Sequence, residues 1–393
     1  MKTIVGPRLA IIENLITAHL DRVMSLGVLG AAASVRLIGQ SDDSQTAISD
    51  GPNISVARGH RALDKREPIN VTDLFQIGSQ TKMFVALALV LLQKRGKLNL
   101  SDDVTKYTPE AKELVSPFGA TLTNLLQHTS GIGNYTVYLE GLEHLEYVPW
   151  PTPHYALSDI IALAKTHGRQ FPPGERMEYC NTGFILLGEV IRRVTGQEPT
   201  DFIRSEILSP LGMTDTFGGS RKDWPMNRLS RGYLQEFSQD GAVWDSNDTL
   251  DTSWAGTAGD MVSTMPDMHK LLLSLCRDDN PTGLTFAGID VNRVACWELD
   301  RAKGITPDLM HGPEWGLGFL RQGFAGREQW GHRGGTFGYR SASLCDPAAG
   351  LSVSLFVTNT QKPQDFAMST ILRQEMDLLV AAIFISSYNA LEM

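Results

Sequence analysis

The sequence predicts an α+β fold, with one sheet assembled from both ends of the chain and a mainly helical domain inserted between them. Three observations carry that expectation. β-like segments cluster near the N-terminus, at 31–38 and 54–57, and again late in the chain, at 314–322, 327–331, 339–345 and 350–358. Between them, helical patterns such as 157–167 and 182–195 are separated by Pro- and Gly-containing loops. No repeat and no Pro/Gly/Ser-rich linker divides the 393 residues, so one large unit or two intimately packed ones are expected.

Taken in order, Ile11, Ile12, Leu15, Ile16, Leu20, Val23 and Met24 recur at helical spacing and predict an amphipathic helix over 8–25. Ala31 to Ile38 reads as a strand, the Gly/Asp/Ser-rich span 39–53 as a hairpin connection, and Ile54 to Ala57 as the returning strand. A long apolar helix follows over 79–95, with Lys94 and Arg95 in its last turn and Gly96 as its stop. The late strands come next, and an apolar helix over 364–386 closes the pattern.

Composition narrows the function. Hydrophobic residues at 42% and charged residues at 20% fit a globular chain and exclude disordered or fibrous classes. Lys and Arg number 35 against 44 Asp and Glu, a net charge of −9 that disfavours nonspecific capture by nucleic acid or an anionic membrane. The four cysteines, at 180, 276, 296 and 345, are too few and scattered for a disulfide framework. Glu13, Asn14, His19 and Asp21 interrupt any leader-like apolar run, and the longest apolar run, Met83 to Leu92, is too short for a membrane span. A soluble, cytoplasmic protein is expected.

Several catalytic plans are absent from the text: no phosphate loop, no dinucleotide glycine fingerprint, no zinc helix and no G-x-S-x-G elbow. What the chain does hold is Ser79-Gln80-Thr81-Lys82, its single Ser-x-x-Lys. Residues i and i+3 share a helix face, so the Lys82 amine can reach the Ser79 hydroxyl. A serine at a helix start also lies where unpaired N–H groups stabilise a developing oxyanion. The apolar run behind the pair would bury the lysine, and desolvation favours the neutral base. Taken alone, the pair also fits a plain N-cap serine.

Two further motifs are equally single. Tyr179-Cys180-Asn181 stands just before a helix, where Tyr179 can shuttle a proton if a cation lies near, or merely pack while Asn181 caps the helix. Gly331-His332-Arg333-Gly334-Gly335-Thr336 lies between two β-like segments, and its glycines let a backbone N–H approach an acyl oxygen closely. In isolation it also fits a bulge or hairpin with an exposed histidine.

All three in this order, at a helix start, in a pre-helix loop and on an inner strand, carry a resemblance. The chain resembles the serine β-lactamase/penicillin-binding-protein superfamily, in the class C β-lactamase-like branch with D-aminopeptidases, D-amino-acid amidases and related esterases. The likeness covers nearly the whole chain. It extends to Leu74-Phe75-Gln76-Ile77-Gly78-Ser79, to His128-Thr129-Ser130-Gly131, to Pro172-Pro173-Gly174-Glu175 and to Leu208-Ser209-Pro210-Leu211-Gly212-Met213. Met177 to Gly183 and Ala258 to Thr264 look especially like D-amino-acid amidases.

The resemblance implies a β-lactamase-like fold, an antiparallel sheet flanked by N- and C-terminal helices. Residues 1–100 and 250–393 would form the sheet domain, and 101–249 the mainly helical one. It implies a serine hydrolase that cleaves amide or ester bonds through an acyl-enzyme. Ser79 would be the nucleophile, Lys82 and Tyr179 would share proton transfer, and Asn181 would bond Lys82 and the substrate amide. The N–H groups of Ser79 and Gly335, the latter just after His332-Arg333-Gly334, would form the oxyanion hole. His332 would stand where β-lactamases place a lysine for the substrate carboxylate, which predicts poor affinity for carboxylate-bearing β-lactams. No metal or cofactor is implied, and the partner is a small amide, peptide or ester. The resemblance points first to a D-amino-acid amidase or D-stereospecific aminopeptidase-like enzyme; the alternatives are a carboxylesterase or β-lactamase of the same family, or a catalytically silent, peptide-binding member.

Three local readings complete the expectation. His128 is read as structural, and Cys180 as a buried thiol rather than a nucleophile. Tyr135, Tyr138, Tyr147, Trp150 and Tyr155 are candidates to line a substrate pocket. Relatives that recognise a free α-amino group can place a carboxylate shortly after the Ser-Gly turn. Here that stretch reads Asn134-Tyr135-Thr136, and Glu140 and Glu143 are the nearest acids.

Overall fold

Strand-forming segments from the two ends of the chain pair with one another. In the computed structural model, which describes residues 7–38, 50–137, 154–219, 221–235, 243–249, 251–290, 294–295, 310–324, 326–361 and 366–392, they build one sheet. Among the described residues its strands are β1 (Gly30–Ile38), β2 (Asp50–Gly59), β3 (Val294–Ala295), β4 (Met310–Trp315), β5 (Leu320–Phe324), β6 (Arg327–Thr336), β7 (Tyr339–Asp346) and β8 (Leu351–Thr358). The order is β2-β1-β8-β7-β6-β5-β4-β3, with every neighbouring pair antiparallel. The join between the two ends is β1 against β8, with Gly30 opposite Thr358.

The two faces of this sheet are both covered. Alternate residues of β1, β7 and β8, including Ala31, Ala33, Val35, Leu344, Val353 and Leu355, turn to one side. They pack on α1 (Pro7–Ser25), through Ile12, Ile16, Leu20 and Val23, and on α6 (Phe366–Glu392), through Leu379, Ile383 and Phe384. The other face, with Ala32, Phe356, Cys345 and Trp330, meets the larger core around α2 (Thr81–Lys94). From Met83 to Leu89 α2 is buried on every side, which explains an apolar run with no polar face. α3 (Leu157–His167), α4 (Asn181–Thr195) and α5 (Met265–Ser274) contribute to the same core. Thr264 caps α5 by accepting from the Asp267 N–H.

Four sequence readings are adjusted. The helix expected over 79–95 begins at Thr81, because Gly78–Gln80 form a tight 3₁₀ turn and no side chain caps the start. The strand expected over 314–322 is split into β4 and β5 by a turn in which Gly318 takes φ +70° and the Gly316 N–H donates to the Phe319 carbonyl. The His332 to Thr336 motif lies inside β6 rather than between strands. The returning strand is longer than 54–57 and spans all of β2. The hairpin connection over 39–49 lies outside the described residues.

Candidate active site

Ser79 sits in the turn ahead of α2, and that turn is pressed against β6. Gly78 has φ +53°, and a Cβ there would lie 2.7 Å from the Gly335 nitrogen and 2.9 Å from its oxygen. On the strand side, a Cβ at Gly334 would lie 1.9 Å from the Ile77 carbonyl oxygen. Only glycine allows this approach at either position. The Ser341 Oγ donates to the same Ile77 oxygen at 2.9 Å and fastens the turn to the sheet. β5 pairs with Arg327 to Gly331 only, so the far half of β6 turns its edge to Ile77 and Gly78 instead.

Lys82 lies one helical turn further on and has no solvent exposure. Its Nζ is 3.0 Å from Ser79 Oγ, 2.7 Å from Asn181 Oδ1 and 2.6 Å from the Ala258 carbonyl oxygen. The Asn181 and Ala258 oxygens can only accept, whereas the serine hydroxyl can donate as well. In its neutral form the amine can spend its two N–H groups on Asn181 and Ala258 and turn its lone pair to the Ser79 proton, whereas as an ammonium it donates to all three oxygens and brings a charge into the site.

Asn181 opens α4 and is itself held. Its Nδ2 donates to Thr136 Oγ1 at 3.0 Å, its backbone N–H donates to Asn134 Oδ1 at 3.1 Å, and Thr136 Oγ1 donates to that same oxygen at 3.1 Å. The stretch Asn134-Tyr135-Thr136, read from sequence for a missing carboxylate, is the clamp that orients Asn181. Tyr135 between them is buried, with its hydroxyl donating to the Trp254 carbonyl at 2.5 Å.

Tyr179 lies across Lys82, whose Nζ is 4.9 Å from the ring centre. Aromatic rings enclose it: His128 at 4.3 Å, Trp315 at 5.9 Å and His332 at 6.4 Å between centroids. His128 also grips the backbone on both sides, its Nδ1 accepting from the Cys180 N–H and its carbonyl from the Glu178 N–H. To do so it adopts φ +58°, a conformation that typically costs of order 1–3 kcal/mol in a non-glycine residue. Burial, then the Lys82 charge, holds His128 well below the ordinary histidine value. Burial in the first place, and the Lys82 charge in the second, hold His332 at about 3, so it is a neutral ring at neutral pH. Burial raises the Cys180 thiol.

A small cleft open to solvent lies at Ser79 and is lined by Tyr135, Asn181, Trp254, Ala255, Ala258, Gly259, Gly335 and Thr336. The structure thus brings Ser79, Lys82, Tyr179, Asn181, Gly334 and Gly335 together. It places His332 behind them, 5.0 Å from Trp315, with Nδ1 hydrogen-bonded to the Arg333 carbonyl. Sequence reasoning missed Thr136, Ala258 and the ring enclosure of Tyr179. Tyr138, Glu140, Glu143, Tyr147 and Trp150 lie outside the described residues. Among the described residues no His, Cys, Asp and Glu cluster is arranged to hold a metal ion.

Fold and site together define a class. The chain belongs to the beta-lactamase family, whose profile, described as Beta-lactamase, matches residues 13–376. Among solved structures it is similar to the D-amino acid amidase from Ochrobactrum anthropi SV3 complexed with L-phenylalanine amide, with TM-score 0.74, 27% identity and 96% of this chain covering 99% of that one. It is also similar to a D-stereospecific amidohydrolase from Streptomyces sp., with TM-score 0.68, 26% identity, and 88% and 94% of the two chains covered. Penicillin-binding protein 4* of Bacillus subtilis (strain 168) is 29% identical over 184 residues, 45% of this chain. The matched stretch spans only 38% of that relative's length. Among the described residues no helix is long and apolar enough to cross a membrane.

Proposed function

We propose that this chain is a serine hydrolase that cleaves amide or ester bonds of small, hydrophobic acyl groups through an acyl-enzyme, in the manner of a D-amino-acid amidase. The observation that carries this reading is the Lys82 environment, in which Ser79 is the one partner among the three quoted that can give up a proton. Ser79 Oγ attacks the acyl carbon as its proton passes to Lys82. The N–H groups of Ser79 and Gly335, held together by the Gly78–Gly335 approach, receive the oxyanion. Tyr179, over the Lys82 amine, delivers a proton to the leaving group, and water then releases the acyl group. Residues 1–100 and 250–393 supply Ser79, Lys82 and Gly335, while residues 101–249 supply Tyr179 and Asn181, so the site forms where the two units meet. The setting is cytoplasmic, and no cofactor takes part.

Two features support the substrate class. Among the described residues the pocket lining holds no charged side chain, which favours an uncharged acyl group. His332 is neutral and buried, so it offers a β-lactam carboxylate no cation. An acyl group with a free ammonium requires a carboxylate partner, for which Glu140 and Glu143 stand nearest in sequence. The test is a side-by-side panel of D- and L-amino-acid amides, p-nitrophenyl esters and nitrocefin. Turnover of amides or esters with only trace nitrocefin hydrolysis is expected. Efficient nitrocefin hydrolysis with no amide or ester turnover overturns the proposal. If the panel shows turnover of amino-acid amides with a free ammonium, Glu140→Gln or Glu143→Gln should raise KM for them and spare simple esters.

A further inference from the structure

Away from the site, on the face of the sheet that meets the larger core, two cysteines face each other. Cys276 follows the last turn of α5, and Cys345 lies on β7; their sulfurs are 3.3 Å apart. The approach is built into the docking of α5. His269 on α5, seven residues before Cys276, meets Ser352 Oγ through Nδ1 at 2.9 Å. Ser352 stands directly opposite Cys345 in the ladder between β7 and β8. One row across the sheet therefore fixes both the helix and its terminal cysteine. A disulfide needs about 2.05 Å between sulfurs, so a closure of little more than 1 Å brings the pair to bonding distance.

We propose that Cys276 and Cys345 are a reversible oxidation site, converted by a hydroperoxide into a disulfide that fastens α5 to β7. Cys276, partly exposed, is the entry point, while Cys345 is fully buried. The Cys276 thiolate attacks the peroxide O–O bond and becomes a sulfenic acid, and the hydroxide that leaves takes up the proton lost by the Cys276 thiol, giving the first water. The Cys345 sulfur then attacks the Cys276 sulfur, so that the S–S bond forms, the S–O bond breaks, and hydroxide leaves with the Cys345 proton as a second water. Two thiols and one hydrogen peroxide thus give one disulfide and two waters. Burial holds the Cys345 thiol well above its ordinary value and keeps it from meeting the peroxide first. Such cross-links in a reducing compartment are typically transient.

The experiment treats the full-length folded chain with excess hydrogen peroxide, quenches free thiols and maps peptides without reductant. The expected result is the loss of two of the four thiols, a cross-link between the peptides holding Cys276 and Cys345, and recovery with dithiothreitol. The thermal midpoint of the oxidised form should rise by several degrees, because the bond closes a long loop. Cys296→Ser should behave as wild type, and Cys276→Ser, at a partly exposed position, should fold and show no cross-link. Four free thiols after treatment, a link from Cys276 to Cys180 or Cys296, sulfinic acid at an unlinked Cys276, or an unmoved midpoint would each overturn the proposal.

Discussion

Lys82 is the residue on which the proposed chemistry turns, and its partners were only half legible. The Ser79 contact follows from an i, i+3 spacing that any reader of the sequence can see. The Asn181 and Ala258 contacts bridge 99 and 176 residues and depend on tertiary packing. The same holds for Thr136, which reaches Asn181 across 45 residues. We predict that Thr136→Val, nearly isosteric, leaves Asn181 Nδ2 without that partner and costs about 1–3 kcal/mol of stability. Turnover should fall roughly tenfold as Asn181 loosens, since 1.4 kcal/mol of misplaced transition-state stabilisation is a factor of ten. Unfolding melts and steady-state kinetics on the one variant check both. A second prediction concerns the proton path: Lys82→Ala and Tyr179→Phe should each lower kcat by orders of magnitude, and the double variant should be little worse than either. Losses that multiply would show that the two groups act independently.

At the scale of elements, the Ser79 turn and β6 are made for each other. The sequence marks a strand at 327–331, but Gly334 and Gly335 weaken the pattern beyond it, because glycine brings no side chain to a pleated surface. The structure extends β6 to Thr336 because that stretch packs its bare backbone against Ile77 and Gly78. Glycine, a poor strand former, is what the contact requires. Gly334→Ala should therefore drive the Cβ into the Ile77 carbonyl, separate Gly335 from Ser79, and lower kcat by at least about 100-fold, the typical cost of losing one oxyanion donor. Gly288→Ala is the matched control: the nearest atom to its Cβ is 3.9 Å away, and it should leave activity and stability unchanged. Equal losses in both variants would show that the close approach has no special role.

For the whole molecule, the strand clusters at both ends made a shared sheet legible, while its order did not follow from them. Placing β1 beside β8 depends on side-chain complementarity between residues more than 300 apart. Building the core in this way also buries three histidines. Burial, reinforced by the Lys82 charge for His128 and His332 and by Arg36 for His269, holds all three below the ordinary value, His269 and His332 at about 3. An unfolded chain protonates them below about pH 6.5, so the stability they contribute is complete above that pH and is lost as pH falls towards 3. Asp260 has the opposite sign. Burial raises its carboxyl to about 7, so its contribution is complete below about pH 4 and is lost as pH rises to 7. Near pH 5 the unfolded state then holds more protons than the folded state from these four groups, so stability falls with falling pH. Denaturant melts from pH 6 to 4 should show that fall, and His269→Asn should make it shallower. A flat profile would contradict the buried, neutral histidines.

The most direct test of the account is to trap the acyl group. Wild type and Ser79→Ala are incubated with a slow ester substrate or a fluorophosphonate, quenched in acid and mapped by mass spectrometry. The account predicts one adduct, on Ser79, in the wild type, and neither adduct nor turnover in Ser79→Ala, whose unfolding midpoint stays close to wild type. An adduct on another serine, or undiminished turnover in Ser79→Ala, would contradict it.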